Sequence, residues 1–565
     1  IFKIMNLYDI NKVITIMKKN NKTRFISKGQ NIIDINNQVI DNSLKYLKEI
    51  PVEESWKNLE FKENKKLSFN ETINLLKGDT LPVSSFLDKK NGVFEGGTTK
   101  YEKRNIAENI PCWIPENCIQ CNQCVFSCPH GVIRPFLLDK KDEKITTIPS
   151  IMPKDKEFTI GINYEECTGC GVCAVTCPGK LGQKALTMVS NTKHDEDFDY
   201  LLKNNVNDKY KSQLLTVKNV SFNMPKFEYS GACAGCGETP YITNLTRVFQ
   251  DNLVISNATG CSSIYGGSTP SMPYSVPWAS SLFEDNSEYG YGILTGINLQ
   301  INKIKKYMKE YPRNKTFKKW IDNMDNYEIC KEVKDHIDYK KHPFLKNMQD
   351  YIVPKSLWII GGDGFAYDIG YGGLDHILSK NENINILVLD TEVYSNTGGQ
   401  SSKSSNIGSI ASFTSKGKEN YKKDLARIAM CYPYVYVAST NIGYNKEQYL
   451  KVLKEASEHS GPSLVIAYSP CIEHGIKTGM EHSQSNAYLA TNCGYFLTFR
   501  YNPNNKKLIL DSKNPDFTKY EDYLMTENRF ANLKRVNKEE AEEILNRQKE
   551  WAINRYNYYK KISEE

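Results

Sequence analysis

Two cysteine-rich stretches decide the fold of the middle of this chain, and they read WIPENCIQCNQCVFSCPHGVIRPF at 113–136 and YEECTGCGVCAVTCPGK at 164–180. Each contains the spacing C-x2-C-x2-C-x3-C-P, which places three thiolates close enough to bind one iron–sulfur cubane. In two-cluster ferredoxins the fourth cysteine of each stretch binds the other cluster. The spacing therefore predicts two [4Fe–4S] clusters in a small α+β ferredoxin-like domain. The ligands of the first cluster are Cys118, Cys121, Cys124 and Cys177, and those of the second are Cys128, Cys167, Cys170 and Cys173.

Zinc is the main alternative for these cysteines, because a C-x2-C pair also suits a tetrahedral zinc site. Zinc sites usually take two separated pairs, whereas this chain has two complete quartets that each end in proline, which favours clusters. Cysteines in a secreted chain could form disulfides, but this chain is long, rich in lysine and shows no leader after Ile1. We therefore predict metal binding in a reducing compartment.

Composition argues against several other classes of protein. A chain of 565 residues is too long for a single hydrophobic core, which predicts two or more domains. The net charge of +7 is small for this length, and no basic stripe with interleaved aromatic residues indicates nucleic-acid binding. No apolar run of about eighteen residues is present, so the sequence predicts no membrane-spanning helix.

Downstream of the cysteine motifs, short apolar strands alternate with helices such as the one at 445–457. The strand candidates are 252–256, 356–360, 384–389, 434–438 and 463–468. This alternation predicts a doubly wound, mostly parallel α/β sheet with ligand sites at the carboxyl ends of its strands. We predict six segments in chain order: the carboxy-terminal remnant of an α/β domain at 1–55, a linker at 56–100, the ferredoxin-like domain at 101–190, a connector at 191–222, the sheet domain at 223–500 and a helical extension at 501–565.

A third cysteine pair, Cys233 and Cys236, lies among small residues that let a bulky cofactor approach the backbone closely. Cys261 follows the first strand of the sheet domain, and Cys471 follows the strand that ends at 468. These four cysteines could bind a third cluster, and the alternative is a redox disulfide with a separate buried thiol. The remaining cysteines have no partner at ligand spacing and are predicted to be ordinary thiols: Cys112, Cys330, Cys431 and Cys493.

Two strand ends of the sheet domain carry oxygen ligands. The sequence GGDGF at 361–365 follows one strand, so the carboxylate of Asp363 lies where a hard cation can bridge to phosphate. The next strand ends in DTEVYSNTGGQ at 390–400, where Thr391, Asn396 and main-chain carbonyls add neutral oxygens. One acid with neutral oxygens and phosphate suits Mg²⁺ better than Ca²⁺. A lone Gly-Asp-Gly would be an ordinary turn, but the pair of strand ends is the pattern of a thiamine diphosphate site.

From about residue 95 to the end, the sequence closely resembles the carboxy-terminal part of pyruvate:ferredoxin (flavodoxin) oxidoreductases. The matching stretches are 98–104, 113–136, 227–241, 257–265, 281–292, 362–373, 387–403 and 466–476. The resemblance implies a thiamine diphosphate-dependent enzyme that decarboxylates pyruvate oxidatively, with coenzyme A taking up the acetyl group. It also implies three [4Fe–4S] clusters that pass the electrons to ferredoxin or flavodoxin.

The resemblance also implies roles for individual residues. A third cluster, beside the thiamine, would be held by Cys233, Cys236, Cys261 and Cys471, and Mg²⁺ by Asp363, Thr391 and the carbonyl of Val393. The residues implied to bind thiamine diphosphate are Glu238, Cys261, Gly362, Asp363, Gly364, Phe365, Thr391, Glu392, Val393, Tyr394, Ser395 and Asn396. Asn396 would face the substrate, and Asn396 and Glu238 are the predicted catalytic residues.

The family's amino-terminal domains, which hold the substrate and most of the coenzyme A contacts, have no counterpart in this sequence. We therefore expect a piece of a longer chain, or a subunit that needs the missing half as a partner. We predict that the chain alone binds clusters but turns over no 2-oxoacid. The resemblance further implies a homodimer in the cytoplasm, or in an anaerobic organelle such as a hydrogenosome if the source is eukaryotic.

Two other functions fit part of the sequence. A pure electron-transfer polyferredoxin would use only residues 101–190 and would not bind thiamine diphosphate. A split oxidoreductase for another 2-oxoacid, such as 2-oxoglutarate, usually carries the cluster and thiamine parts on separate short chains, whereas they are fused here. Structural roles are favoured over acid–base roles for His130, His376 and His474, because the thiamine cofactor supplies its own base.

Overall fold

The computed structural model describes residues 2–26, 29–57, 67–191, 197–210, 214–267 and 271–564. Contacts divide the chain into two compact units, Ile1–Leu76 and Lys77–Glu565. The division falls inside the predicted linker because residues that follow it pack on the larger unit: the hydroxyl of Thr99 donates to the carbonyl of Glu228 at 2.9 Å. The finer division into six segments stays a prediction.

The smaller unit contains only helices among its described residues. Its two longer helices, Ile10–Phe25 and Gln30–Asn42, are joined by the buried amide of Asn21, which donates to the carbonyl of Ile33 at 3.0 Å. The shorter helices are Phe2–Met5, Glu54–Lys57 and Phe69–Asn74. Its origin in an α/β domain stays a prediction.

Two small antiparallel sheets frame the paired cysteine motifs. The strands in chain order are β1 (Asn109–Trp113), β2 (Ile133–Leu138), β3 (Ile148–Pro149), β4 (Glu157–Ile162) and β5 (Leu186–Ser190). β1 pairs with β5, while β2 and β3 flank β4. Each motif contains one short helix, Gln123–Ser127 in the first and Val172–Thr176 in the second. This is the α+β ferredoxin-like arrangement that the motifs predict.

An eight-stranded sheet forms the centre of the remaining chain. Its strands in chain order are β6 (Leu253–Ala258), β7 (Trp278–Ser281), β8 (Ser356–Gly361), β9 (Asn385–Asp390), β10 (Tyr436–Thr440), β11 (Ser463–Tyr468), β12 (Phe499–Asn502) and β13 (Lys507–Leu510). Their spatial order is β13-β12-β10-β11-β9-β8-β6-β7, with parallel pairing from β7 to β10 and antiparallel pairing at β12 and β13. The prediction of a mostly parallel α/β sheet is confirmed, and the five predicted strands are β6, β8, β9, β10 and β11.

Both faces of this sheet are covered, so its central strands read as continuous apolar runs. Successive residues of β8 point into different hydrophobic cores, Ile359 into one and Trp358 into the other. Helices Tyr371–Leu378 and Ala541–Glu564 contribute to the first core, and helices Thr239–Phe249 and Lys446–Glu458 to the second. The carboxyl ends of the parallel strands are left for ligands.

Three parts of this unit are absent from the sequence-based prediction, namely strand β7, the helices that follow it and the hairpin β12–β13. Between β7 and β8, the long helix Asn286–Lys309 leads into three shorter helices that share a small core around Trp320: Lys315–Ile321, Tyr327–Asp335 and Pro343–Asn347. The hairpin β12–β13 extends the sheet into the segment that was predicted to be a helical extension. It was missed because strands of only four residues give too little alternation to be recognised. Within the described ranges, no helix is both long and apolar enough to cross a membrane.

Candidate functional site

The cysteines predicted to hold the first cluster surround one apolar cavity. Its lining includes Cys118, Cys121, Cys124 and Cys177, together with Trp113, Ile119 and Leu186. Burial and the neighbouring thiols of Cys121, Cys177 and Cys118 raise the pKa of Cys124 well above its usual value. The structure thus brings the last cysteine of the second motif to the first three of the first motif.

The cysteines predicted to hold the second cluster lie together in the same crossed manner. Burial raises the pKa of Cys167 to about 12 and that of Cys170 to about 11, and the thiol of Cys128 adds to both shifts. Burial and the nearby thiols of Cys170, Cys128 and Cys124 raise the pKa of Cys173. Because Cys124 belongs to the first group, the two groups lie next to each other. The assignment of these eight cysteines as ligands stays a prediction.

Unused hydrogen-bond donors lie beside these thiols. The indole N–H of Trp113 and the hydroxyls of Ser127 and Thr176 are buried and have no partner within the described part of the chain. Buried donors normally have partners, and the sulfur atoms of clusters accept hydrogen bonds. Two groups of four thiols with unused donors around them therefore fit two [4Fe–4S] clusters.

The third cysteine group lines a cleft at the carboxyl ends of the strands. The cleft walls include Cys233, Cys236, Cys261, Cys471, Ile264, Pro470 and Ile472. Cys261 begins the helix Cys261–Gly266 just after β6, and Cys471 follows β11. Burial raises the pKa of Cys471 to about 12, and Cys233 is among its electrostatic neighbours. Two strand ends and one C-x2-C loop thus bring the four thiols together.

The loop between Cys233 and Cys236 depends on Gly235, whose φ is +80°. A Cβ atom there would lie 2.6 Å from both the Cβ and the carbonyl oxygen of Met480. We expect Gly235→Ala to destabilise the chain by about 2 kcal/mol or more, through left-handed backbone strain and overpacking. The anaerobic thermal unfolding midpoint and the iron content would both fall.

Gly296→Ala is the control, because Gly296 lies on the helix Asn286–Lys309 outside the cysteine clefts, and a Cβ atom there would have nothing within 4 Å. Its midpoint and its iron content should stay at the wild-type values. Equal losses in the two variants would show that the close approach to Met480 is unimportant.

A second cleft opens where β8 and β9 end. Asp363 begins a short helix after β8, and its Oδ2 atom accepts a hydrogen bond from the hydroxyl of Ser402 at 2.6 Å. Its Oδ1 atom is buried without a partner among the described residues. Burial and the charge of Asp390 raise the pKa of Asp363 well above its usual range. A buried carboxyl with an unused oxygen fits a cation ligand.

Neutral oxygens stand near this carboxyl in the wall of the cleft. The hydroxyl of Thr391 donates to the carbonyl of Val393 at 2.9 Å, and both residues line the cleft with Asn396. Across the described ranges, no group of three or more His, Cys, Asp or Glu side chains is arranged to hold a single metal ion, as distinct from a cluster of several iron atoms. Magnesium bound at Asp363 would therefore take its other ligands from neutral oxygens, phosphate and water, which is its usual manner of binding.

The two clefts share one wall. Five residues line both of them, namely Glu238, Cys261, Thr391, Ser395 and Asn396. The carboxyl of Glu238 accepts a hydrogen bond from the hydroxyl of Tyr265 at 2.9 Å, and burial raises the pKa of Glu238 to about 7. A cofactor in one cleft would therefore lie next to a group bound by the cysteines of the other.

The structure does not bring two of the predicted cofactor-binding side chains to the cleft. Phe365 is packed in the hydrophobic core, where a Cβ atom on Gly361 would collide with it. Glu392 has a φ of 59°, and its side chain turns inward to the ammonium of Lys422 at 2.8 Å and the guanidinium of Arg529 at 2.8 Å. These cations hold the pKa of Glu392 near 2 despite its burial.

Other cleft residues were missed from the sequence. Phe283 and Thr397 line the cleft, and Ser402 supports Asp363 from behind. Thr397 lies within the quoted 390–400 motif, whereas Phe283 and Ser402 lie only in the stretches 281–292 and 387–403 that carry the resemblance, and no role was predicted for any of the three.

Two of the three histidines considered at the sequence level are buried. The Nδ1 atom of His130 lies 3.1 Å from the carbonyl of Ser230, and the Nε2 atom of His474 lies 2.7 Å from the carbonyl of Thr391. His376 is exposed.

Comparison with known protein families supports the class that this architecture defines. Residues 117–181 match the 4Fe-4S dicluster domain, and residues 351–467 match the thiamine pyrophosphate enzyme, C-terminal TPP binding domain. Residues 69–107 match EKR, a domain of unknown function. The chain thus combines an iron–sulfur dicluster domain with a thiamine pyrophosphate-binding α/β domain.

Sequence relatives narrow this class. Pyruvate:ferredoxin oxidoreductase from Moorella thermoacetica is 42% identical over 100% of this chain and 52% of its own length. Pyruvate-flavodoxin oxidoreductase from Enterobacter agglomerans is 38% identical over the same shares. The chain is therefore homologous to the pyruvate:ferredoxin and pyruvate-flavodoxin oxidoreductases, and it spans about half the length of the curated relatives it matches.

Among solved structures, a 2-oxoglutarate:ferredoxin oxidoreductase from Magnetococcus marinus matches 47% of this chain and 68% of its own chain. The sequence identity is 18% and the TM-score is 0.30, so this likeness carries no argument.

Proposed function

We propose that this chain supplies the thiamine diphosphate and iron–sulfur part of a pyruvate:ferredoxin (flavodoxin) oxidoreductase. The complete enzyme would convert pyruvate and coenzyme A to acetyl-coenzyme A and carbon dioxide, with electrons leaving to ferredoxin or flavodoxin. The observation that carries the proposal is the shared wall between the Asp363 cleft and the third cysteine cleft. Homodimer assembly and a cytoplasmic or organellar location belong to the same proposal.

The roles of individual residues follow from their positions. Asp363, supported by Ser402, would hold Mg²⁺ with Thr391 and the carbonyl of Val393. Thiamine diphosphate, when bound, supplies the electron sink for decarboxylation of a 2-oxoacid. Glu238 and Asn396 face both clefts, so they are placed to orient the reacting groups and to hold a proton beside them.

The cysteine groups are arranged in series, which supports an order of electron transfer. The backbone of Gly235, in the loop of the third group, lies close enough to Cys170 of the second group to act on the pKa of its thiol. The thiol of Cys124 in the first group lies near enough to Cys173 of the second group for its charge to raise the pKa of Cys173. We therefore place the second group between the third and the first. The first group would then pass electrons to the external carrier.

The first experiment is a count of iron, acid-labile sulfide and thiamine diphosphate per polypeptide after anaerobic purification. Three clusters require about twelve iron and twelve sulfide. About eight of each, with no thiamine diphosphate bound, would favour a polyferredoxin. Pyruvate-dependent reduction of ferredoxin should appear only when the chain is combined with the remaining half of the enzyme. Turnover of pyruvate by this chain alone would contradict that division of roles.

A further inference from the structure

Arg247 is a buried cation without an acidic partner in the described part of the chain. It lies on the helix Thr239–Phe249, and its side chain is fully buried. The Nη1 atom donates to the carbonyl of Val125 at 3.2 Å and to the side-chain oxygen of Asn244 at 3.0 Å. The Nε and Nη2 atoms have no hydrogen-bond partner among the described residues.

The position of Arg247 is fixed beside both ferredoxin-type cysteine groups. Asn244, one turn earlier on the same helix, donates to the carbonyl of Phe126 at 2.8 Å. These two contacts hold the guanidinium against the helix Gln123–Ser127, which contains Cys124 of the first group and is followed directly by Cys128 of the second. The thiols of Cys128 and Cys124 lie near enough to the guanidinium of Arg247 for their charges to act on its pKa.

The other charged residues nearby do not neutralise Arg247. Glu228 is already paired with Arg134, whose guanidinium also donates to the hydroxyl of Tyr229 at 2.9 Å. Burial, together with the repulsion from Arg134, lowers the pKa of Arg247 to about 9, which leaves the guanidinium protonated at neutral pH. An unpaired buried charge costs several kcal/mol, so a compensating anion is expected in the native protein.

Iron–sulfur clusters supply such an anion. A [4Fe–4S] cluster with four thiolate ligands is negatively charged, and its reduction adds one further negative charge. Net charge near a cluster is one of the factors that set its reduction potential. A buried cation acts strongly here because the surrounding protein screens charge poorly. It therefore favours the reduced state of a neighbouring cluster.

We propose that Arg247 compensates the charge of the two ferredoxin-type clusters and raises the reduction potential of both. The inference rests on the proposed function, because it requires clusters on the two cysteine groups. Arg247 is a tuning residue rather than a catalytic one, since it reaches the clusters only through its charge. We expect no shift at the third cysteine group, because Cys236 precedes the first turn of the helix Thr239–Phe249, whereas Arg247 lies in its last turn, about 12 Å farther along the helix axis.

The test is an anaerobic redox titration of the full chain, followed by electron paramagnetic resonance. We expect Arg247→Gln to lower the equilibrium constant for reduction of both ferredoxin-type clusters about tenfold, which is a shift of about 59 mV for one electron. Arg247→Lys keeps the charge and should stay close to wild type. The third cluster serves as an internal reference, because its reduction potential should not change.

A second variant tests the charge argument with the opposite sign. Glu228→Gln leaves Arg134 unpaired and adds a net positive charge beside the same clusters, so both potentials should rise. If Arg247→Gln contains its full set of clusters and their reduction potentials equal those of the wild type, the inference is overturned. If Arg247→Gln does not load clusters, an unmoved potential in Glu228→Gln would overturn it equally. Absence of cluster iron in the wild-type chain would instead overturn the proposed function.

Discussion

Replacing Asp363 by asparagine should weaken magnesium-dependent binding of thiamine diphosphate by about a hundredfold or more. The substitution keeps the size of the side chain, and an amide oxygen can still accept the hydrogen bond from Ser402. It removes the negative charge that the cation needs. Loss of a residue that only supports a metal ligand already costs 10–100-fold in affinity, so loss of a charged ligand should cost at least as much. Isothermal titration calorimetry with magnesium and thiamine diphosphate measures the change.

The same substitution should stabilise the chain when no cofactor is present. Burial and Asp390 raise the pKa of Asp363, so the folded metal-free chain retains a proton that the unfolded chain loses near pH 4. The stability of the metal-free wild type therefore falls as the pH rises above about 4, and Asp363→Asn removes this loss. The variant should have a higher unfolding midpoint at neutral pH, together with its weaker cofactor binding.

Asp375→Asn is the matched control for both measurements. Asp375 lies on the helix Tyr371–Leu378, outside the cleft, and accepts a hydrogen bond from the hydroxyl of Tyr432 at 2.9 Å. Its binding of thiamine diphosphate should equal that of the wild type. If Asp363→Asn binds thiamine diphosphate and magnesium with wild-type affinity, Asp363 is not a ligand of the proposed magnesium site.

The parts of the site that could be predicted from sequence are those encoded in short, consecutive motifs. Spacing within eleven residues predicts each cysteine quartet as cluster ligands, Gly362-Asp363-Gly364 directly follows the buried strand β8, and Asp390-Thr391 stands at the end of β9. The parallel sheet then brings Asp363 and Thr391 to the same edge. The motifs themselves can be recognised without knowledge of contacts between distant segments, and the crossed pairing of the two quartets follows from the pattern of two-cluster ferredoxins.

The parts that could not be predicted depend on the direction of a side chain or on distant packing. Glu392 belongs to a cofactor motif, but its left-handed backbone sends the carboxylate into the core toward Lys422 and Arg529. Ser402 reaches Asp363 across 39 residues. Arg247 resembles any polar residue of an amphipathic helix, and only packing against the helix Gln123–Ser127 shows that it is buried.

The crossed pairing of the cysteine quartets gives the second large effect. Each single alanine substitution in a quartet should remove one cluster, which is about four iron per polypeptide, because a cubane needs its full set of thiolates. The double variant Cys118→Ala with Cys177→Ala should also lose only about four iron, since both residues lie in the first group. The double variant Cys128→Ala with Cys177→Ala should lose about eight, since it removes one ligand from each group.

An uncrossed arrangement, in which each motif binds its own cluster, reverses part of this pattern. Cys118→Ala with Cys128→Ala would then lose about four iron, and Cys118→Ala with Cys177→Ala about eight. Cys112→Ala controls for general damage, because Cys112 lies on β1 in the same domain but outside both groups. The double variants are decisive because one iron count distinguishes the two arrangements without assignment of any spectroscopic signal. The crossed arrangement would also put Cys124 and Cys128 on different clusters, so that Arg247, on which both cysteines act electrostatically, would lie near two anions.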